Sequence, residues 1–263
     1  MAKLFYLVNL ELKRFRWILL SIVVFLIIFQ QILLGLSAKD TFHYIPYEEF
    51  FASSGSIIVF GLAFASTCAL CIWSILSNYH GSKSVYTLMT LPQNRSVLYL
   101  SKLIACLMYF IVTITSQMIS ILMGYVFFAP KIQRVIQESS VYGANIIQEH
   151  ASNGLFLAFV RSDFFRIIFP LGWKSFISSA SLLFSTVTGL VYGILCERSK
   201  RYKRIILAIL QAGYGIYIVN YRVNANLGFT EFQNLIVHSI FTFVFAAFFI
   251  WDSVRLIQKS EIS

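Results

Sequence analysis

Charge is scarce in this chain. Only 12% of its 263 residues are Asp, Glu, Lys or Arg, against roughly 25% in soluble domains. A further 58% are apolar, and the apolar residues fall in long runs. Together these exclude an ordinary soluble fold and place the chain in the membrane class. There is no soluble domain, internal repeat or low-complexity tail. A cleavable signal is not expected either: Met1–Arg16 is charged throughout, and the apolar run after it is too long for a signal core.

Catalytic signatures are missing as well. There is no GxxxxGK[ST] phosphate loop, no HExxH and no GxSxG. The four histidines, His43, His80, His150 and His238, lie in different segments. No catalytic, cofactor-binding or metal site is therefore expected on this chain. Cys68, Cys71, Cys106 and Cys196 fall inside apolar runs or at the end of one, so no disulfide in an outer loop is expected. The Cys68-x-x-Cys71 pair has no second ligand pair and reads as packing.

Six apolar runs remain: Trp17–Leu36, Ile57–Leu76, Leu103–Phe128, Leu171–Cys196, Ile205–Tyr221 and Leu235–Ile250. Each approaches or exceeds the length needed to cross a bilayer. The segments between them differ in charge. The N-terminus, the loops after the second and fourth runs, and the C-terminus hold 14 basic and 4 acidic residues, a net of +10. The other side holds 7 of each sign. The excess of Lys and Arg predicts that both termini face the cytoplasm. It also accounts for the whole net charge, so no nucleic-acid partner is implied. The expected home is the cell membrane.

Three further elements are expected. Met1–Arg16 is amphipathic, with Leu4, Phe5, Val8, Leu12 and Phe15 on one face, and should lie in the interface as an elbow helix. Leu155–Phe169 is apolar but carries Arg161, Asp163 and Arg166. A seventh span there would bury these charges and reverse the basic loop Glu197–Arg204, so an outer interfacial or re-entrant element is expected. It lies within a long outer segment, residues 129–170. Tyr44, Tyr47, Phe50 and Phe51 suit an interfacial aromatic belt. The fold class is thus all-α integral membrane, one domain over residues 1–263.

Polar residues inside the runs are candidates for function. Ser181, Ser185, Gly189 and Gly193 recur at every fourth position, a spacing that lets helices approach closely. Thr113, Thr115, Ser116, Gln117 and Ser120 form a stripe on the third run, and Gln30, Gln31 and Gln211 add buried amides. Gln30, Thr113, Ser116, Gln117 and Gln211 could line a translocation path or bond helix to helix. No apolar run contains an acidic residue. A bundle without buried charge is expected, which argues against a proton- or sodium-coupled carrier.

The loop at residues 77–102 reads SNYHGSKSVYTLMTLPQNRSVLYLSK. Val85, Leu88 and Met89 share a helical face, and Pro92 would end that helix. A Gly81-x-Lys83…Leu91-Pro92-x-x-Arg95…Ser101-Lys102 segment opening the third run, behind an elbow and two spans, resembles the six-span permease subunits of ABC-2 type transporters. Tyr79 and His80 stand where many members have an acidic residue. The resemblance implies that this loop is the coupling helix docked on a separate cytoplasmic ATPase, with Gly81, Lys83, Val85, Leu88, Met89, Leu91, Pro92 and Arg95 as its residues. It implies two ATPase copies that carry the ATP and Mg, and a second permease, identical or paralogous. The chain is most similar to permeases of the phenol-soluble modulin exporters of Gram-positive bacteria. That implies export of amphipathic, antimicrobial or toxin peptides. The competing class is a non-transporting immunity or sensor subunit that binds a peptide or a partner protein.

Overall fold

A computed structural model describes residues 2–38, 46–77, 95–139, 154–224 and 233–258. Among these, every regular element is an α-helix: α1 (Ala2–Ser37), α2 (Tyr47–Ser53), α3 (Ser56–Leu76), α4 (Arg95–Ser139), α5 (Gly154–Arg161), α6 (Asp163–Ile168), α7 (Trp173–Arg198), α8 (Tyr202–Asn224) and α9 (Gln233–Gln258). Six of them, α1, α3, α4, α7, α8 and α9, are long and apolar enough to cross a membrane. This is the architecture of a multi-pass membrane protein. Backbone groups in lipid must be satisfied within the segment, and a helix does that.

The helices overrun the apolar runs. α1 continues unbroken from Ala2 to Ser37, so residues 2–16 form one helix with the first span. The buried face of that stretch is Leu7, Val8, Glu11 and Phe15, whereas Phe5 is exposed. Of the expected apolar face, Val8 and Phe15 are buried, Leu4 and Leu12 are half-buried and Phe5 is exposed. α4 has 45 residues, about 67 Å at 1.5 Å per residue. It begins at Arg95, so the last eight residues of the expected loop already belong to the third spanning helix. α9 runs to Gln258, past the expected end at Ile250. Intrahelical hydrogen bonding does not stop where hydropathy stops.

The chain divides into two compact units. One comprises Met1–Leu20, Ser66–Ile111 and Gly172–Ser263, the other Ser21–Ala65 and Val112–Leu171. In the first, α7 packs most extensively on α9 and then on α8. Tyr192 stacks on Phe249 with ring centroids 4.4 Å apart, and Cys196 and Leu256 complete that core.

The core of the second unit is aromatic. Tyr47, Phe50 and Phe51 of α2 are buried against Leu34, Ile121, Phe128, Phe159 and Phe165. These three residues do not form an exposed belt. Their i, i+3, i+4 spacing places them on one face of α2, and that face is covered. Tyr44 lies outside the described residues. Residues 155–169 form two short helices, not a span. α6 is capped by Ser162, whose hydroxyl accepts from the Phe165 amide. Arg161 pairs with Glu48 of α2 at 3.8 Å, and Arg166 pairs with Asp163.

Candidate functional site

The expected coupling residues Gly81, Lys83, Val85, Leu88, Met89, Leu91 and Pro92 lie outside the described residues. Arg95 is the first residue of α4. The structure does describe the helix ends from which that segment hangs. Lys102 on α4 donates to the Ser74 carbonyl near the end of α3 at 3.2 Å. It also forms an ion pair with Glu11 of α1, Nζ to Oε1 3.5 Å. Tyr109, about two turns further along α4, donates to the Glu11 carbonyl at 3.2 Å. One lysine thus ties three helices together at the base of the 77–95 segment. Glu11 is only 7% exposed.

A second ionic cluster joins the ends of α7 and α9 to the start of α8. Asp252 is 4% exposed. One guanidinium nitrogen of Arg204 donates to both of its oxygens, at 2.7 and 2.6 Å, and the Tyr192 hydroxyl donates to Oδ2 at 2.9 Å. Arg222 of α8 is also buried and donates to Ser179 of α7 at 2.8 Å. The expectation of a bundle without buried charge is therefore overturned. Glu11 and Asp252 lie outside the apolar runs but inside the helices that extend them.

The α7–α8 turn has its own geometry. The Arg201 amide donates to the Cys196 carbonyl at 3.0 Å, and the Lys200 amide donates to the Glu197 carbonyl at 3.1 Å. This pair of bonds is the Schellman stop. It requires Lys200 at φ 55°, a position where glycine is usual and a side chain costs about 1–2 kcal/mol.

The polar residues of the spans are engaged between helices. In the second unit, the Gln30 amide donates to Gln117 Oε1 at 2.8 Å and to the Ser56 carbonyl at 3.0 Å. Gln31 donates to the Ser120 carbonyl at 2.9 Å. Gln30, Thr113 and Gln117 are fully buried, and Ser116 bonds back to the Thr113 carbonyl of its own helix at 2.8 Å. Gln30 Oε1 and Gln117 Nε2 are buried without a hydrogen-bond partner. Gln211 belongs to the first unit. Its amide donates to the Ser185 carbonyl at 2.9 Å and to the Ser185 hydroxyl. Of the five residues named for a path, the structure joins Gln30 to Gln117.

The small-residue stripe of α7 divides similarly. Ser185 and Gly189 face α8, where a β-carbon on Gly189 would sit 2.7 Å from Gln211 Oε1. Ser181 is buried and bonds to the Ser178 carbonyl of its own helix. A β-carbon on Gly193 would meet nothing within 4 Å. Cys71 donates weakly to the Cys106 carbonyl at 4.0 Å, and all four cysteines are free thiols.

One aromatic group has no counterpart in the sequence reading. Tyr214, Tyr217 and Tyr221 recur along α8, and their ring centroids lie 5.9, 5.9 and 5.7 Å from that of His238 on α9. Tyr214 OH and His238 Nδ1 are 2.7 Å apart. The i, i+3, i+7 spacing of the tyrosines was a visible signal; their partner on α9 was not.

Among the described residues no group of His, Cys, Asp and Glu could hold a metal ion. The chain matches no protein-family model, no curated protein and no solved structure.

Proposed function

We propose that this chain is the membrane-spanning permease subunit of an ATP-driven exporter of the ABC-2 type. In this reading both termini are cytoplasmic, and a separate ATPase supplies ATP and Mg chemistry on the same side. Two ATPases and a second permease, identical or paralogous, complete the transporter. The cargo is an amphipathic peptide entering from the inner leaflet of a Gram-positive cell membrane. Residues 2–16 act as the elbow beside the ATPase, and α5 and α6 as the outer interfacial element.

The observation that supports this best is the Lys102 tie. Lys102 belongs to the motif that carries the resemblance, and it binds the base of the coupling segment to both α1 and α3. From Arg95 the chain continues as a single helix of 45 residues. A pull on the segment before Arg95 is then shared, through Lys102, with α1 and α3.

The test is ATP hydrolysis by this chain co-purified in lipid with a candidate ATPase, with and without amphipathic peptides. Arg95→Glu and Met89→Asp accompany it. The reading expects a stable complex whose peptide-stimulated hydrolysis is lost in both variants. Absence of a complex, or hydrolysis indifferent to peptide and loop, overturns it in favour of an immunity or sensor subunit.

A further inference from the structure

Three side-chain amides join α1 to α4 in the second unit, and their orientations are fixed. The Gln30 amide nitrogen donates to the Ser56 carbonyl at 3.0 Å and to Gln117 Oε1 at 2.8 Å. The Gln31 amide nitrogen donates to the Ser120 carbonyl at 2.9 Å. A backbone carbonyl only accepts, so turning either amide over would set oxygen against oxygen. Gln117 must then present its own oxygen to Gln30. Three atoms are left over: Gln30 Oε1, Gln31 Oε1 and Gln117 Nε2, each buried with no hydrogen-bond partner.

These atoms are costly where they lie. Gln30 and Gln117 are 0% exposed, and both sit on helices long and apolar enough to cross a membrane. Lipid tails offer neither donor nor acceptor, so the helices must supply a partner or enclose one. The three atoms are close in the fold. Gln30 and Gln31 are consecutive in α1, and their partners Gln117 and Ser120 are about one turn apart on α4. The spare atoms of Gln30 and Gln117 belong to amides already in contact.

Their chemistry selects the occupant. Two of the atoms accept and one donates. A metal cation would be repelled by the Gln117 N–H groups, and an anion by the two carbonyl oxygens. The fitting species donates and accepts at once. It is also small, because Gln30 and Gln117 keep no accessible surface for a larger ligand. Water meets both conditions, and a buried water makes about three such bonds.

We propose that the α1–α4 joint is a binding site for one buried water molecule, which accepts from Gln117 Nε2 and donates to Gln30 Oε1 and Gln31 Oε1. Gln30 and Gln117 then hold two spanning helices together partly through water. The site needs the six spans and not the exporter assignment, so the two stand or fall separately.

The experiment is water-edited solid-state NMR on the full chain in phosphatidylcholine bilayers, with isotope-labelled glutamine. Magnetisation passes from water protons to the glutamine side-chain amides, and its build-up reads which of them touch water. Phosphatidylcholine has no headgroup hydroxyl, so the signal cannot come from lipid. The Gln117→Met and Gln211→Met variants assign the two resonances. Gln211 is the control, a buried amide of the other unit whose nitrogen is engaged by the Ser185 carbonyl at 2.9 Å. The expected result is build-up at Gln117 well ahead of Gln211. Gln30→Met removes one acceptor of the water, and the early build-up at Gln117 should be lost.

Three outcomes overturn the proposal. The first is build-up at Gln117 no faster than at Gln211, which makes the joint dry. The second is equally fast build-up at both, which makes water general to the bundle and not bound at this joint. The third is undiminished build-up at Gln117 in a folded Gln30→Met variant, which removes Gln30 from the site. The first two are read on the wild-type chain, so they stand even if a variant fails to fold.

Discussion

Arg204 reaches both oxygens of Asp252 with a single guanidinium nitrogen, and the two residues differ sharply in exposure. The Asp252 side chain is 6% accessible and that of Arg204 37%. Removing either partner therefore has unequal effects. Arg204→Met leaves a buried carboxylate and should destabilise by about 3 kcal/mol or more. Asp252→Asn leaves a cation that water can reach, and should cost about 1 kcal/mol. The midpoint of thermal unfolding in detergent checks the order. Equal losses would mean that the pair contributes through packing alone.

Gln30 and Gln117 bond across two helices while one buried atom of each has no partner. Gln30→Leu or Gln117→Leu alone strands the other amide and should cost about 1–3 kcal/mol. The double Leu variant should recover most of that, because both polar groups leave together. If the amides instead serve a moving substrate, the double variant will be stable but slow in peptide transport. Measuring both quantities on the same preparation separates the roles.

Gly124 lies where α4 meets α1 and α2. A β-carbon there would be 2.7 Å from the Tyr47 hydroxyl and 2.8 Å from Leu34 Cδ1. The hydroxyl cannot simply retreat, since it donates to the Ile121 carbonyl at 2.8 Å. Gly124→Ala should cost about 1–3 kcal/mol. Adding Tyr47→Phe removes one of the two collisions and should restore part of the loss. A double-mutant cycle on thermal stability reads the coupling, and strict additivity would contradict the contact.

Lys102→Met tests the tie at the base of the 77–95 segment. It removes the bond to Ser74 and leaves Glu11 buried without this cation. A charge-assisted hydrogen bond contributes about 1.5–3 kcal/mol, so thermal unfolding should fall by roughly 3–10 °C. On the exporter reading, the complex with the ATPase still forms, but peptide no longer stimulates hydrolysis. Full stimulation in a stable variant would remove Lys102 from the coupling route.

The six spans were legible because each is a long apolar run, and lipid leaves a helix as the only single-segment solution. Their ends were not legible. Asp252 and Glu11 interrupt hydropathy without interrupting the helix, so both looked like residues of solvated termini. Tyr47, Phe50 and Phe51 carried a readable helical spacing, but the sequence could not say whether lipid or protein covered that face. The Gln30 to Gln117 bond joins residues 87 positions apart, and nothing local in either helix names the other. Arg161, Asp163 and Arg166 did read correctly as obstacles to a seventh span, because a charge at mid-bilayer depth is costly wherever it occurs.

Three of the four limits between the two compact units fall inside helices; the fourth, between Leu171 and Gly172, lies just before α7. Leu20 and Ser21 are consecutive residues of α1, Ala65 and Ser66 of α3, and Ile111 and Val112 of α4. Neither unit is a contiguous stretch of chain. A gene fusion or exchange spliced at loops can transplant α7–α9 as a block, but it can never carry either unit away whole. Recombination therefore has one seam here, before α7, and every other cut between the units would sever a helix.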